Sequence, residues 1–183
     1  MSHTYYMDPV PVRRAYKFRA YPTRPQEGRA VRMLRDHCDL YNAALEERRE
    51  AWRTRQASVS YGMQSAQLKE IRRADPDGQG QYSFTAQQQT LRRLSTVFAA
   101  FFDRVRAAET AGKGKKPGCP RFKPYQRFSQ VMFVAGDGAK WQPRGTGKWA
   151  YARFQAVGTV KVCQHRPVPG TVKALQLKRE HRR

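Results

Sequence analysis

Acidic residues and aliphatic side chains are both scarce in this chain of 183 residues. There are 14 Asp and Glu against 36 Lys and Arg, which gives a formal net charge of +22, and Leu, Ile, Val and Phe together number only 31. Such a composition is typical of chains that do not fold alone. The 21 aromatic residues favour a packed core instead. We therefore expect either a globular body whose charges repel until a polyanion neutralises them, or one piece of a larger assembly.

Long apolar runs and closely spaced cysteines are also missing. No stretch approaches the ~20 apolar residues of a membrane span, and the first residues do not include the apolar segment of a signal peptide. We therefore expect a cytoplasmic protein without membrane contacts. Cys38, Cys119 and Cys163 lie far apart and have no histidine at ligand spacing, which argues against a disulfide framework or a zinc finger. Glycine-rich phosphate-binding motifs are absent as well, so neither a metal nor a cofactor is expected.

Groups that could form a catalytic site are few. A two-metal nuclease needs carboxylates that converge from separate elements, but Asp137 and Glu180 are the only acids after residue 112. None of the four histidines stands in a pattern with Ser or Cys that is typical of nucleophilic catalysis. We therefore expect no self-contained active site, and an enzyme with an unrecognised metal site stays the alternative.

Positive charge is abundant and unevenly distributed. Residues 1–112 carry a net charge of +7, whereas residues 113–183 carry +15. Of the 36 basic residues, 25 are arginine, whose planar guanidinium suits phosphate oxygens better than an ammonium group does. The partner must supply negative charge, which favours nucleic acid.

The hydrophobic patterning changes along the chain. Apolar residues recur with helical spacing between residues 23 and 112, whereas the alternation typical of strands dominates the rest. Because a single strand before the helices needs a partner, the simplest α+β fold inserts a helical bundle after the first strand of a small β-barrel or sheet, and the barrel need not be complete. The strand candidates are residues 16–21, 130–134, 149–154, 157–163 and 171–177.

Three helices are predicted in the central segment. The first begins at a capping box, Thr23–Gln26, the second covers about residues 64–73 and ends at the turn residues 75–78, and the third begins at a second capping box, Thr85–Gln88. The first and third helices each carry an apolar seam, and we expect these seams to pack against each other. The seams comprise Val31, Leu34, Cys38, Tyr41, Leu45 and Trp52 in the first helix, and Leu91, Leu94, Phe98, Phe101 and Val105 in the third.

Residues 113–127 are predicted to form a basic loop, because Gly and Pro interrupt them too often for a helix or a central strand. With six to ten phosphate contacts, affinity should fall about 10³–10⁵-fold between 50 and 200 mM salt. Phe122, Tyr125 and Phe128 lie among or beside the cations. They could stack on bases, but we favour the interpretation that they anchor the loop to the core. The cations are Lys113, Lys115, Lys116, Arg121, Lys123 and Arg127.

Five segments occur in an order that is similar to one protein family. They are RAYKFRAYPT at 14–23, CDLYNAALEERREAWR at 38–53, QQQTLRRLSTVFAAFFDR at 87–104, KKPGCPRFK at 115–123 and GTVKVCQHRPVPGTVKALQLKRE at 158–180. In this combination they resemble the N-terminal part of TnpB, also called OrfB, the transposon-encoded protein of insertion sequences and a relative of type V CRISPR effectors. The resemblance runs over residues 12–180.

This resemblance implies part of an RNA-guided DNA endonuclease. Residues 12–22 and 117–183 would form the family's wedge-like β-barrel, and residues 23–112 its recognition-like, helix-turn-helix-like bundle. These domains would bind structured guide RNA and the duplex motif that flanks the DNA target. Tyr61 and Gln88 align with positions that face this duplex, and a Gln amide can both donate to and accept from a base edge. A structural role stays open for each, with Tyr61 covering the helical core and Gln88 completing the capping box.

The family's RuvC acids and its zinc-binding cysteines would follow residue 183, so the resemblance assigns no catalytic residue and this chain is not expected to cleave DNA alone. We expect a shortened, nucleoid-associated protein of a bacterial or archaeal transposition system that binds DNA and guide RNA. Arg153, Lys161 and Arg166 would add phosphate contacts without sequence information. The alternative is a helix-turn-helix DNA-binding regulator with one seam-bearing helix in the major groove. The oligomeric state is not predicted.

Overall fold

The structure is a computed structural model that describes residues 13–111, 117–144 and 147–180. Within these ranges a first strand precedes three α-helices, and five further strands follow them. The α+β class and the position of the helices after the first strand agree with the sequence. The elements are β1 (Arg19–Tyr21), α1 (Arg24–Arg55), α2 (Tyr61–Ala74), a short 3-10 turn (Gln79–Gln81), α3 (Phe84–Thr110), β2 (Gln130–Val134), β3 (Ala139–Pro143), β4 (Trp149–Phe154), β5 (Gly158–Cys163) and β6 (Ala174–Lys178).

Helix α1 begins where the sequence predicts. Thr23 is the N-cap, and the Gln26 side chain accepts a hydrogen bond from the Thr23 backbone N–H at 2.9 Å, as in a capping box. The buried face is wider than the predicted seam, since Met33 is buried as well. Trp52 is 58% exposed, so its assignment to the seam is wrong. A seven-residue repeat drifts by about 20° per heptad on an α-helix, and the three heptads after Val31 turn this side chain out of the seam.

Helix α2 contains the predicted second helix and begins three residues before it. Leu68 packs into the core, and the helix ends just before the predicted turn. There the Asp75 carboxylate accepts hydrogen bonds from the backbone N–H groups of Gly78 and Gln79, at 3.0 and 2.7 Å. An Asp side chain that bonds to the backbone ahead of it is typical of a turn, so the prediction of a stop at 75–78 is confirmed.

Helix α3 begins two residues earlier than predicted. Its N-cap is Ser83, whose Oγ accepts a hydrogen bond from the Ala86 backbone N–H at 3.2 Å. Thr85 therefore lies inside the helix, and Gln88 does not complete a capping box. The turn between β2 and β3 packs against this helix start, because a Cβ atom on Gly138, which has φ +76°, would lie 2.3 Å from Ser83 Cβ.

The apolar seam of α3 is buried only in its first half. Leu91 and Leu94 are buried, and α3 packs against α1 as predicted. From Phe98 onward the seam residues are only partly buried. The neighbouring Phe102 is 51% exposed, with its ring centroid 5.2 Å from that of Phe101. The predicted burial of the whole seam is therefore wrong beyond Leu94.

The strands form two antiparallel sheets. The larger sheet has the order β1-β5-β4-β3, and β2 pairs with β6 in a second sheet. The first strand therefore finds its partner late in the chain, as predicted, with Arg19 opposite Cys163. Strand β3 was not among the predicted strands. Within the described residues neither sheet closes on itself, so a closed barrel is not observed.

Helices and sheets share one hydrophobic core. A single cluster of buried side chains includes Tyr41 and Leu91 from the helices and Phe133 and Val160 from the strands. Helix α3 contacts β2 directly, so the helical segment and the sheets support each other. Among the described helices, none combines the length and the apolar content that crossing a membrane requires.

One of the fully buried side chains is an imidazole. His37 Nδ1 lies 2.8 Å from Thr90 Oγ1, and this hydroxyl donates its own proton to the Ala86 carbonyl oxygen. Nδ1 therefore carries the ring proton and donates it. Nε2 has no hydrogen-bond partner within the described residues. Burial lowers the pKa of His37 from 6.5 to about 4, because the protonated ring would lose its hydration.

Candidate nucleic-acid interface

The described part of the basic loop is held against α1. Asn42 Oδ1 accepts a hydrogen bond from the Lys123 backbone N–H, and Asn42 Nδ2 donates one to the Lys123 carbonyl oxygen, both at 2.9 Å. Arg179 Nη2 donates to the carbonyl oxygens of Tyr125 and Gln126, at 3.0 and 3.1 Å. These bonds satisfy backbone groups in a segment without regular structure, so residues 123–126 have a fixed position on the protein.

The three loop aromatics differ in exposure. Phe128 is buried, as favoured above, but Phe122 is 45% exposed and Tyr125 is 44% exposed, which corrects the expectation for these two. An arginine of α1 lies over each exposed ring, with Arg49 at 5.2 Å from the Phe122 centroid and Arg35 at 4.7 Å from the Tyr125 centroid. These are cation–π distances. We call Arg35, Arg49, Phe122 and Tyr125 the loop surface.

The predicted cations of the loop fall into three groups. Three of them lie outside the described residues, namely Lys113, Lys115 and Lys116. Arg121 and Arg127 are exposed, and along the chain they lie on either side of Phe122 and Tyr125. Lys123 Nζ instead lies 5.0 Å from the Tyr41 ring centroid. Burial, and after it the charge of Arg93, lowers the pKa of Lys123, so this ammonium is the least available of the described loop cations for a phosphate.

Tyr61 and Gln88 lie on adjoining helices. Arg92 Nε donates to the Tyr61 hydroxyl oxygen at 3.1 Å, and Gln88 Nε2 donates to Ser65 Oγ at 2.9 Å. Tyr61 and Ser65 are one turn apart on α2, and Gln88 and Arg92 are one turn apart on α3, so the two pairs lie side by side. The structure therefore brings the two predicted residues to one place. We call Tyr61, Ser65, Gln88 and Arg92 the paired helix surface.

A groove of about 270 Å³ lies between α3 and the β2–β6 sheet. Arg92 and Arg93 are among the residues that line it from the helix, and Gln130, Met132 and Gln176 line it from the strands. Guanidinium groups and amides together offer contacts to both phosphates and base edges. Because Arg92 also belongs to the paired helix surface, the two are continuous.

The outer face of the four-stranded sheet carries aromatic residues that the sequence analysis missed. Strand pairing places Tyr21 opposite Lys161, and Lys161 opposite Tyr151. The Trp149 ring lies 5.6 Å from the Tyr21 ring and 3.9 Å from Lys161 Nζ. The alanines that alternate with Trp149 and Tyr151 are buried on the opposite face. The alternation in residues 149–154 is the signal from which this surface could have been predicted.

Two of the three predicted β-section cations lie on this outer face. Lys161 is exposed between the two tyrosines, and Arg153 is exposed two residues after Tyr151 on the same strand, hence on the same face. The guanidinium carbon of Arg166 lies 5.4 Å from the ring centroid of Tyr16, which precedes β1. Strand pairing therefore places Arg153 and Lys161 on one face, whereas Arg166 lies after the end of β5.

Few of the cations are paired with carboxylates. The ion pairs of the described residues all join exposed side chains, and none of them includes a residue of the loop surface, the paired helix surface or the outer face of the sheet. Strands β1, β3, β4 and β5 contain no Asp or Glu. The positive charge of these surfaces is therefore available to an anionic partner.

The first part of the chain matches a family of helix-turn-helix domains. Residues 7–57 match the family model described as "Helix-turn-helix domain", of the OrfB_IS605 type. This match shows that residues 7–57 are similar to the helix-turn-helix domain of that family. Within the matched range the described residues form β1 and the single helix α1. A helix-turn-helix needs two helices, so its second helix would be α2, which follows α1 after five intervening residues.

A particular relative is similar to half of the chain. A protein of Streptomyces pristinaespiralis named "Putative RNA-guided DNA endonuclease" is 40% identical over 92 residues, which are 50% of this chain and 23% of that protein. The matching segment thus spans about a quarter of the relative. Together the two findings confirm the resemblance to the N-terminal part of TnpB/OrfB proteins, and they support a DNA-binding, transposase-related role.

Proposed function

We propose that this chain is the nucleic-acid-binding portion of a TnpB/OrfB-like transposase protein, which holds structured guide RNA and recognises the duplex motif beside a DNA target. Residues 12–22 and 117–183 act as its wedge, and residues 23–112 act as its recognition bundle. The observation that carries this proposal is the paired helix surface, because it joins Tyr61 and Gln88 to a groove lined by arginines.

The hydrogen bonds of the paired helix surface leave useful groups free. Gln88 uses its Nε2 to hold Ser65, and its carbonyl oxygen is left to accept a hydrogen bond from a base amino group. The Tyr61 hydroxyl oxygen accepts from Arg92, which leaves the phenolic proton for an acceptor on a base edge. Both side chains are thus positioned by a neighbour and still able to read a base pair.

Phosphate contacts supply affinity without sequence information in this proposal. Arg92 and Arg93 lie beside the reading residues, in the groove, and they are suited to the motif duplex. The other phosphate ligands are Lys113, Lys115, Lys116, Arg121, Lys123, Arg127, Arg153, Lys161 and Arg166. We rank Lys123 last among the described ones, since its ammonium lies over the Tyr41 ring and burial lowers its pKa.

Binding without cleavage is part of the proposal. Most carboxylates in the described ranges have local roles, such as Glu50 with Arg53 and Glu70 with Arg73. Across the described ranges, no three metal-binding side chains come together. We therefore expect the purified chain to leave DNA intact in the presence of Mg²⁺. Magnesium-dependent cleavage that is lost when one named acid is replaced would contradict this.

A second candidate is a DNA-binding regulator that needs no RNA. The helix-turn-helix match over residues 7–57 favours it. Such a protein usually reads a palindromic duplex as a dimer. Specific binding of the chain to a palindrome in the absence of RNA would favour this candidate over the guided one.

The main experiment selects duplexes with randomised flanks for binding to the chain, with and without structured RNA from the neighbourhood of its gene. Gln88→Ala should then weaken binding to the selected motif about 5- to 150-fold, the usual effect of one lost base contact. Binding to unselected duplex should not change. Gln67→Ala is the matched control, because Gln67 also donates from α2 to another side chain, Glu47, but lies outside the paired helix surface. Equal effects of the two substitutions would refute the assignment of Gln88.

A triple replacement of Lys115, Lys116 and Arg121 by Ala tests the phosphate contacts separately. It should weaken binding to all sequences and reduce the dependence of log affinity on log salt by about 0.9 per lost contact on duplex DNA. Unchanged affinity and unchanged salt dependence would exclude the loop from the interface.

A further inference from the structure

We propose that the outer face of the β1-β5-β4-β3 sheet is a stacking site for unpaired RNA bases. This inference deepens the proposed function, on which it rests, by assigning a surface and a chemical form to the RNA partner. Strand β4 turns its alanines inward, with Ala150 at 0% and Ala152 at 2% exposure. Its larger side chains Trp149 and Tyr151 lie on the outer face, beside Tyr21, which is 42% exposed. Core burial alone would favour the opposite arrangement.

Each aromatic ring of this face has a cation next to it. Lys161 Nζ lies 3.9 Å from the Trp149 centroid, and the guanidinium carbon of Arg144 lies 4.8 Å from the Tyr151 centroid. A base that stacks on either ring would displace the cation toward the phosphate of the same nucleotide. One pair of side chains could therefore bind both ends of a nucleotide, the base through the ring and the phosphate through the cation.

The pattern of residues across the strands leaves room for a base. Arg19 on β1 and Trp149 on β4 lie on either side of Cys163 on β5. The cysteine side chain is much smaller than both neighbours, so the face is lower between them. Neighbouring strands lie about 4.8 Å apart, so the backbones of the two residues that flank Cys163 are about 10 Å apart.

The chemistry of this face favours single strands over duplexes. Stacking requires a free base face, and in a duplex both faces of a base are covered by its neighbours. Exposed aromatics on a four-stranded antiparallel sheet are a known means of holding two or three unpaired bases. Loops and bulges of structured RNA present such bases. Two polar side chains of this face can hydrogen-bond to a ribose 2′-hydroxyl, the group that distinguishes RNA from DNA. They are Gln142, opposite Tyr151, and Thr159, opposite Arg153. These side chains favour RNA over DNA as the ligand.

The test measures binding of a labelled RNA 8-mer without self-complementarity to the full chain. Trp149→Leu removes the ring and keeps an apolar strand residue. It should weaken binding about 5- to 150-fold without changing the salt dependence, and Trp149→Phe should restore most of the affinity. Trp52→Leu is the matched control, since it removes a tryptophan that lies outside this face, on α1, and should have no effect. Lys161→Gln should lower the salt slope by about 0.7.

Changes to the ligand complete the test. An 8-mer with abasic sites keeps its phosphates but cannot stack on any ring, so it should bind to the native chain at least as weakly as the intact RNA binds to Trp149→Leu. A DNA 8-mer of the same sequence should bind more weakly than RNA. Equal affinity for RNA and DNA would overturn the assignment to RNA, and equal affinity for abasic and intact RNA would overturn stacking.

The outcome also separates this inference from the proposed function. Trp149→Leu should keep the binding of the chain to its selected DNA duplex, which depends on the paired helix surface. Loss of RNA binding with duplex binding retained supports the stacking site. Equal losses of RNA and duplex binding in Trp149→Leu, or equal RNA binding by Trp149→Leu and Trp52→Leu, would overturn it even if the chain binds nucleic acid as proposed.

Discussion

The buried imidazole of His37 should make the fold sensitive to mild acid. The ring is neutral in the folded protein, donates from Nδ1 to Thr90, and has its Nε2 without a partner among the described residues. A proton added to Nε2 would place a charge in the core between α1 and α3, beside the Tyr82 ring at 5.4 Å. The hydroxyl of Tyr82 donates its proton to the Asp36 carboxylate.

The size of the effect follows from the pKa values of the two states. His37 titrates near 6.5 in the unfolded chain, and burial lowers its pKa to about 4 in the folded protein. Between these values the unfolded state binds the extra proton, so stability rises with pH. The contribution is complete above pH 6.5 and is lost as the pH falls toward 4. It amounts to about 3 kcal/mol in full, of which about 2 kcal/mol is lost between pH 7 and pH 5.

Urea unfolding at pH 7, 6 and 5, at constant ionic strength, measures this loss. Above pH 5 most carboxylates stay ionised, so the imidazole dominates the change. The native chain should lose about 2 kcal/mol of unfolding free energy. His37→Gln keeps a donor for Thr90 and cannot be protonated, so its unfolding free energy should stay nearly constant. His165→Gln, which removes an exposed imidazole, is the control and should lose as much as the native chain.

Two results would refute this reasoning. One is an equal loss of stability in His37→Gln and in the native chain. The other needs no variant and comes from nitrogen-detected NMR of the imidazole rings. The His37 ring should remain the neutral form with the proton on Nδ1 in folded protein at pH 5, and a doubly protonated ring under those conditions would contradict the buried, neutral state.

Two further predictions concern stability. Gly138→Ala should lower the free energy of unfolding by about 3 kcal/mol, because it adds a clash with Ser83 to a strained φ. Gly136→Ala, at φ +91° with no atom within 4 Å of the added Cβ, should cost only about 1 kcal/mol, and equal costs in urea titrations would exclude the clash. Asn42→Ala should cost about 2 kcal/mol, because both backbone groups of Lys123 lose a partner. It should also speed tryptic cleavage in residues 117–127, and an unchanged cleavage rate would mean that other contacts hold the loop.

The helical part of the fold was largely predictable from local chemistry. Thr23 and Gln26 mark the start of α1 because a capping box satisfies backbone donors there. The Asp75 turn marks the end of α2 for a similar reason. The start of α3 was predicted two residues late, because Ser83 competes with Thr85 as a cap and the helix start is also bonded to Asp137, which is distant in sequence.

The strand region was predictable in part. The pairing of β1 with a late strand follows from the need of a single strand for a partner. Strand β3 has few apolar residues and ends in Pro143, so its pattern does not distinguish it from a loop. Its place in the sheet depends on pairing with β4, which is a tertiary contact. Closure of the barrel likewise depends on long-range pairing and could not be derived from local pattern.

The candidate site was predictable only where charge or resemblance marked it. The cations Arg153 and Lys161 were identified from charge alone, while Trp149 and Tyr151 were assigned to a strand but not to a surface. The usual preference of aromatic residues for the interior hides such sites. The two alanines that alternate with them identify the inner face of the strand. A strand that packs closely against the core turns its small side chains toward the core, which leaves Trp149 and Tyr151 on the outer face.

Because Arg19 pairs with Cys163, strand β1 cannot pair until the ribosome has synthesised β5. At synthesis rates of 5–20 residues per second, β1 waits roughly 7 to 30 s for its partner strand to leave the exit tunnel. During that interval α1, α2 and α3 can already associate, since their contacts are closer in sequence. The nascent chain therefore passes through a stage with associated helices, an incomplete core and an unpaired β-edge. At this stage self-association competes most strongly with completion of the sheet.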